Sequence, residues 1–335
     1  MKEFTIVCGL SGSGKSTFAN TYKKNLESEG YKVIFLSSDN LREELYGDIN
    51  DQAHNREVFQ YIHNAITAWA KTTDEEDSIL IVDATNLTRK DRMAMIHSLG
   101  KFKSKIRATI TVMAVPFNEC VENDSNRDRH VGKEVIFKQM CRFEMPQKYE
   151  GWDSIHVKSK SFDFDYRSDA ELMSKMIGLS QNNPHHKYTL FEHNMKVMYE
   201  AILNKASTEA VIAAKYHDVG KLFTQTIDDK GVSHYYNHAN VSTYYMLVNS
   251  HLFYQTDSRL EDPLFTLFLI NYHMLIRDIE KNCATKYRKL WGDEWYDALV
   301  RFSKYDEAAS GLTAKQHSEL TKPKIDEILD AKKHL

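Results

Sequence analysis

A glycine-rich run near the amino terminus, Gly9-Leu10-Ser11-Gly12-Ser13-Gly14-Lys15-Ser16-Thr17, satisfies the pattern G-x-x-x-x-G-K-[ST]. Its glycines let successive backbone N–H groups close around a phosphate at a helix N-terminus, where the helix dipole favours negative charge. In that setting Lys15 reaches the β and γ phosphates of a nucleotide and Ser16 holds Mg2+. The competing explanation is a Gly-rich turn carrying a solvated lysine. Far downstream stand His193, the run His217-Asp218-Val219-Gly220-Lys221, then His234, His238, His273 and Asp306. This mixture of imidazole and carboxylate suits transition metals better than Mg2+. Adjacent His217 and Asp218 can reach two neighbouring ion positions, because one carboxylate has two oxygens. Two such ions bind a phosphoryl oxygen and lower the pKa of a bridging water, which is the chemistry of phosphate-ester hydrolysis.

A phosphate loop alone leaves NTPase, switch and kinase open, so the acceptor side matters. The second strand-like run ends in Ser37-Ser38-Asp39-Asn40-Leu41-Arg42. A carboxylate there can take a proton from an attacking hydroxyl, and an arginine three residues on can grip an acceptor phosphate. Capping of the following helix by Ser38 or Asp39 would explain the same residues. Asp83, before Ala84-Thr85-Asn86, stands where a Walker-B-like carboxylate orients Mg2+ waters or the acceptor. Arg127 and Arg129, in Asn126-Arg127-Asp128-Arg129, open a segment running to Pro146 that can close over the transferring phosphoryl group. Pairing with Asp124 and Asp128 on a solvated surface is the alternative.

Two kinds of element must position these groups. Apolar β-type runs at Phe4–Cys8, Lys32–Ser37, Ser78–Val82, Ala108–Val115 and Asp153–Lys158 alternate with helical spacing at Ser16–Leu26, Arg56–Lys71 and Glu134–Phe143. That alternation predicts an α/β domain, a largely parallel sheet flanked by helices. After Lys158 the β signal stops. A polar stretch carrying one short amphipathic helix ends at Gln181-Asn182-Asn183-Pro184, a boundary because proline cannot continue a helix. From there to about Leu320 the spacing predicts helix throughout, as in Leu190–Leu203, Ala210–Tyr216, Val241–Leu252 and Trp295–Phe302. The expected organisation is a kinase domain over 1–160, a linker over 161–182, an all-α domain over 183–320 and a charged helix or tail over 321–335.

Gly9 to Thr17, Asp39 with Arg42, Asp83 to Asn86, and Asn126 to Arg129 through Arg142-Phe143-Glu144-Met145-Pro146 together resemble the phage-type 5′-OH polynucleotide kinase branch of P-loop kinases. The resemblance implies ATP and Mg2+ as cofactors, with Lys15 and Ser16 on phosphate and metal. Asp39 is then the general base, Arg42 is on the acceptor's 3′ phosphate, and Arg127 and Arg129 come from the lid. Here the two lid arginines are two residues apart, whereas the family spaces them by four. The second half is similar to HD-superfamily phosphohydrolases. The likeness is carried by Tyr188 to His193, Tyr216 to Lys221, Asn237-His238-Ala239, Asn271-Tyr272-His273 and Lys304 to Ala309, and is nearest to the HD domain of bacterial tRNA nucleotidyltransferases. It implies one metal on His193, His217, Asp218 and Asp306, and a second on Asp218, His238 and His273, from Mn2+, Ni2+ or Co2+. His234 competes with His238, whose setting favours it. Lys221 and His186 would touch the scissile phosphate, unless Lys221 is a C-terminal helix charge and His186 a loop residue.

At 335 residues the chain suits two domains, and 42% hydrophobic with 27% charged residues is ordinary globular composition. Its apolar runs fall short of the ~20 residues of a membrane span. No signal peptide is evident, so the expected location is cytoplasmic, with no membrane partner. Four scattered cysteines offer neither zinc-ribbon nor disulfide spacing, and a net charge of −3 argues against a nonspecific nucleic-acid coat. The combination fits end-healing of RNA, including tRNA, or DNA. One site phosphorylates a 5′-OH, the other removes a 2′,3′-cyclic phosphate or a 2′- or 3′-phosphate, and a separate RNA ligase seals. Arg42, Lys101, Lys103, Lys105 and Arg107 would hold the nucleic acid locally, although such a run is also an ordinary solvated face. The rivals are a small-metabolite or nucleoside kinase fused to an HD nucleotide phosphohydrolase, and a nucleotide-gated regulator.

Overall fold

The computed structural model describes residues 2–72, 78–127, 129–159, 166–184, 187–249, 262–278 and 281–311. The chain divides into two compact units, Met1–Ser161 and Phe162–Leu335.

In the first unit the order is β1 (Lys2–Cys8), α1 (Lys15–Ser28), β2 (Lys32–Ser37), α2 (Ser38–Tyr46), α3 (Asn55–Lys71), β3 (Ser78–Asp83), α4 (Arg89–Ser98), β4 (Ile106–Ala114), α5 (Phe117–Ser125), α6 (Lys133–Met140) and β5 (Ser154–Ser159). All five strands are parallel, in the order β2-β3-β1-β4-β5. Helices cover both faces, so β1 from Phe4 to Cys8 and all of β3 are buried without alternation. The register sets Asp83 beside both Val7 and Ser37, bringing the carboxyl ends of three neighbouring strands level. The loops that follow them carry the phosphate run, Asp39 and Asn86, at the edge where open α/β sheets bind ligands. Lys101 to Arg107 lie at the opposite edge, where Ile106 pairs with Lys2. There Lys103 pairs with Asp153 at 2.8 Å and Arg107 bonds Ser154. The basic run is therefore not gathered with Arg42, because the register separates them by the length of the sheet.

One buried ion pair braces this unit. Arg92 on α4 is fully buried and donates to both Glu150 carboxylate oxygens, at 2.8 and 2.7 Å, and to the carbonyls of Asn86 and Leu87. Trp152 Nε1 also donates to Glu150, at 2.9 Å. The turn after β3 is thus fixed by a charge whose hydrogen-bonding needs are met, the condition under which burial is tolerable.

The second unit holds α7 (Tyr166–Gly178), α8 (Leu190–Leu203), α9 (Thr208–Tyr216), α10 (Lys221–Thr224), β6 (Thr226–Ile227), β7 (Ser233–His234), α11 (His238–Val248), α12 (Pro263–Tyr272), α13 (Leu275–Asp278), α14 (Lys281–Trp291) and α15 (Asp293–Ala308). Two readings need correction. The half expected to be helical throughout contains a short antiparallel hairpin, β6 with β7, around the turn at Gly231; two-residue strands leave no period to detect. The stretch expected as a linker carries its expected short helix as α7, but with Leu172 and Met176 buried it clusters with the second unit rather than standing between the two. The expected tail over 321–335, and His186, lie outside the described residues. Helix α12 is buried nearly all round, with Leu267, Phe268, Leu269 and Ile270 at most 2% exposed, as befits a central helix. Among the described residues no helix is long and apolar enough to cross a membrane.

Candidate active sites

The phosphate loop leaves β1 at Cys8 and enters α1 at Lys15. Gly12 has φ +78°, and a Cβ there would lie 2.0 Å from the Cys120 carbonyl oxygen, so the loop tolerates no side chain where it meets α5. Neighbours hold the loop in shape. Gln139 on α6 accepts from the Ser11 N–H at 2.8 Å and donates to its hydroxyl at 3.0 Å, and Asn123 donates to the Gly12 carbonyl at 3.0 Å. Lys15 is buried and donates to the Leu10 carbonyl at 2.7 Å. Burial lowers its pKa, opposed chiefly by Asp83. Asp83 is pushed up by burial, against the Ser16 hydroxyl that bonds it and the Lys15 charge. Ser16 and Asp83 are a pair of oxygen groups that would suit Mg2+ beside a nucleotide phosphate.

Asp39 sits in the first turn of α2 but does not cap it; Ser37 does, accepting from the Asn40 N–H at 3.5 Å. Neither expected cap, Ser38 or Asp39, is used, which leaves the Asp39 carboxylate to the site. One oxygen receives Arg42 Nη1 at 2.7 Å and the other Arg129 Nη1 at 2.6 Å. Arg42 is buried, also donates to Asn55 at 2.5 Å, and has its pKa lowered by burial against the pull of Asp39. Arg129 reaches Asn50 as well, at 2.8 Å. Arg127 is not brought to Asp39: it pairs with Asp124, whose other oxygen accepts the N–H groups of Val131 and Gly132, each at 2.9 Å. The structure thus divides the two arginines expected in a lid, Arg129 bonding Asp39 and Arg127 pairing with Asp124. Sequence reasoning missed Gln139, whose only signal was its position within the helical run Glu134–Phe143, and Asn123, Asn50 and Asn55, which lie in no marked segment.

In the second unit six expected residues converge. A Thr189–Glu192 capping box starts α8 and sets His193 on its buried face; His217 and Asp218 follow α9; His238 opens α11; His273 follows α12; Asp306 lies on α15. All six are buried. Asp218 Oδ2 lies 3.5 Å from His193 Nε2 and 3.4 Å from His217 Nε2, while Oδ1 lies 3.0 Å from His238 Nε2 and 3.5 Å from His273 Nε2. Asp306 Oδ1 lies 3.0 Å from His193 Nε2 and 3.8 Å from His217 Nε2. His234 stays outside, on β7, paired with Asp228.

The other ring nitrogens face backbone carbonyls: His193 Nδ1 toward Ala309 at 3.4 Å, His217 toward Ala214 at 3.0 Å, His238 toward Tyr235 at 2.7 Å and His273 toward Ile270 at 2.8 Å. A carbonyl only accepts, so each Nδ1 carries its hydrogen and a neutral ring keeps its lone pair on Nε2. Lone pairs then face a carboxylate, and His238 and His273 face each other at 3.2 Å. Among the described residues no donor reaches His217 Nε2, which faces the Asp218 and Asp306 oxygens instead. That arrangement fits cations, with backbone carbonyls acting as the outer partners that orient ligating imidazoles. Two sets form, His193 with His217 and Asp218, and Asp218 with His238 and His273, each with its ligand atoms within 4.8 Å of one another.

Gly220 lets this happen: a Cβ there would meet the His238 carbonyl at 2.2 Å, and its N–H donates to Ser242 at 2.8 Å. Lys221 does not stand at the carboxyl end of α9 as a solvated helix charge. It opens α10, is buried, pairs with Asp218 at 2.6 Å and donates to Gln181 at 2.8 Å. Burial raises the Asp218 pKa, but His217, Lys221 and His238 outweigh it and hold the carboxyl well below its usual range. His273, buried among them, falls to about 4.

Residues 4–146 match the AAA_33 family model, an AAA domain. The parallel five-stranded sheet flanked by helices, with its phosphate loop after β1, fits the P-loop kinase fold. A probable adenylyl-sulfate kinase of Archaeoglobus fulgidus is 32% identical over 29% of this chain and 60% of its own length. The L-seryl-tRNA(Sec) kinase of Methanococcus maripaludis is 23% identical over 53% of this chain and 66% of its own. The chain therefore spans less than two thirds of these relatives. Among solved structures, one of a Pnkp1/Rnl/Hen1 RNA repair complex matches at 20% identity and TM-score 0.34, over 41% of this chain and 42% of that one.

Proposed function

We propose that the chain heals broken nucleic-acid ends, RNA in preference to DNA, with two independent centres. The observation that carries the kinase half is the Asp39 carboxylate held between Arg42 and Arg129 at the phosphate-loop edge of the sheet. In this reading a 5′-oxygen attacks the γ phosphorus of ATP, its proton passes to Asp39, and the bond to ADP breaks. Lys15 leaves the Leu10 carbonyl for the phosphates, Arg129 turns from Asp39 toward the transferring group, and Arg42 holds the acceptor's 3′ phosphate. Ser16 and Asp83 would hold Mg2+.

The second unit is read as an HD-type phosphohydrolase acting on 2′,3′-cyclic, 2′- or 3′-phosphate ends. His193, His217, Asp218 and Asp306 would hold one transition metal, and Asp218, His238 and His273 the other, supplying Lewis-acid activation of phosphate oxygen and water. Lys221 fixes the Asp218 carboxylate, and the four backbone carbonyls fix the rings. A ligase on another chain would seal the ends. One mixture tests both halves: ATP, Mg2+ or Mn2+, and an RNA bearing a 5′-OH and a 2′,3′-cyclic phosphate, with both ends examined afterwards and a DNA arm alongside. Unchanged ends would end the proposal. The adenylyl-sulfate kinase relatives favour a second reading, a small-nucleotide kinase. Phosphorylation of adenylyl sulfate but of no oligonucleotide would select it.

A further inference from the structure

The turn that closes the acceptor side of Asp39 carries an aromatic pair the kinase chemistry does not use. Tyr46, the last residue of α2, and His54, just before α3, stack with centroids 4.2 Å apart and planes 10° from parallel. The His54 side chain is 48% exposed, so the stack is open to solvent. Its ring is fixed, not loose: Asp51 accepts from the His54 N–H at 3.0 Å with one oxygen and lies 2.7 Å from Nδ1 with the other. The same turn is tied to the acceptor groups at two points, through Asn55 to Arg42 and through Asn50 to Arg129, and both arginines hold Asp39. A planar, half-exposed surface is thus held at a fixed place beside the proposed base and the proposed phosphate grip.

We propose that the Tyr46–His54 stack is a platform for the nucleobase of the nucleotide whose 5′-hydroxyl faces Asp39. This rests on reading the first unit as a polynucleotide kinase. A terminal nucleotide carries a hydroxyl, a 3′ phosphate and a flat base on one sugar, and Asp39, Arg42 and the stack offer one partner for each. Aromatic stacking takes any base by its π face, so the subsite reads the presence of a base rather than its identity.

The test compares KM for a 5′-OH oligonucleotide with KM for the same strand carrying an abasic 5′-terminal nucleotide. In the wild type, loss of the base raises KM by about five- to a hundredfold, the range of one base–aromatic stack. His54→Ala brings the two substrates to a common KM, while His54→Phe, which keeps a stacking face and loses the Asp51 contact, restores the difference. Equal KM values in the wild type, or an equal penalty on both substrates from His54→Ala, overturn the platform and leave the kinase reading standing. Calorimetric binding of adenosine 3′-monophosphate separates the converse case. If no oligonucleotide is phosphorylated yet this binding weakens in His54→Ala, the platform stands and the polynucleotide kinase reading falls. Binding unaltered by His54→Ala overturns the platform.

Discussion

Replacing Gly220 by alanine adds one methyl group where the chain between α9 and α11 has no room. The new Cβ would stand 2.2 Å from the His238 carbonyl oxygen and 2.7 Å from the Ser242 nitrogen, whereas real contacts stop near 3.0 Å. Relief needs a displacement of about 0.8 Å, and both clashing atoms are backbone at the start of α11, so the helix itself must move. His238 rides on that helix, 3.0 Å from Asp218, and metal ligands tolerate about 0.2 Å. Overpacking of this kind costs about 1–3 kcal/mol, which lowers Tm by about 2–12 °C for a unit of this size. The expected outcome is a lower melting transition for the second unit, loss of metal from the set containing His238, and loss of end-phosphate removal with 5′ phosphorylation unchanged. Calorimetry with and without added Mn2+, elemental analysis and the two-ended RNA assay read these separately. A Gly220→Ala protein with wild-type Tm and metal content would refute the claim that this close approach positions the centre.

The two lid arginines should separate: Arg129→Ala lowers the phosphorylation rate about a hundredfold or more, as losing a charge-stabilising donor does, whereas Arg127→Ala acts through the Asp124 brace and shows chiefly as protease sensitivity at residues 126–132. Steady-state kinetics and limited proteolysis check this. Arg42→Lys loses the paired geometry to Asp39 and Asn55 and should raise the acceptor KM about tenfold with little change for ATP. For the chelated protein, the folded pKa of His273 at about 4 lies below its unfolded value near 6.5, so stability falls as pH drops from 6.5 toward 4. His217 is shifted the other way: burial lowers its pKa, but Asp218 and Asp306 outweigh that, so its contribution is lost as pH rises above 6.5. Chemical denaturation of metal-free protein across pH 4–9 should therefore peak near 6.5; a flat profile would remove these imidazoles from the balance.

Much of this was legible because the chemistry is dense where the pattern is strong. The phosphate run names its own loop, and apolar strands covered on both faces announce themselves as uninterrupted runs. Four histidines and two aspartates are picked out by the ordered resemblance to HD phosphohydrolases, since residue type alone also offers His234, which the structure leaves outside on β7. What could not be read depends on direction in space. Nothing in spacing says that Ser37 rather than Ser38 caps α2, although that shift of one residue leaves Asp39 to the site. Arg127 and Arg129 look alike in sequence, and only the backbone turn sends one inward. Lys101 to Arg107 are near the kinase residues in composition but lie at the far edge, a separation set by strand register. Gln181 carried only a boundary signal, yet its side chain accepts from Lys221, which pairs with Asp218.

The Arg92–Glu150 pair bears on where this polypeptide can be cut. The family match stops at residue 146, a natural place to end an excised kinase fragment. Such a fragment would keep Arg92 on α4 and discard both Glu150 and the indole of Trp152 that completes the arrangement. A guanidinium left in the interior without its carboxylate costs about 3–5 kcal/mol, a large part of the 5–15 kcal/mol that holds an ordinary domain together. It would also lose β5, which completes the sheet beyond β4. The smallest soluble piece of the first unit should accordingly reach at least Ser159.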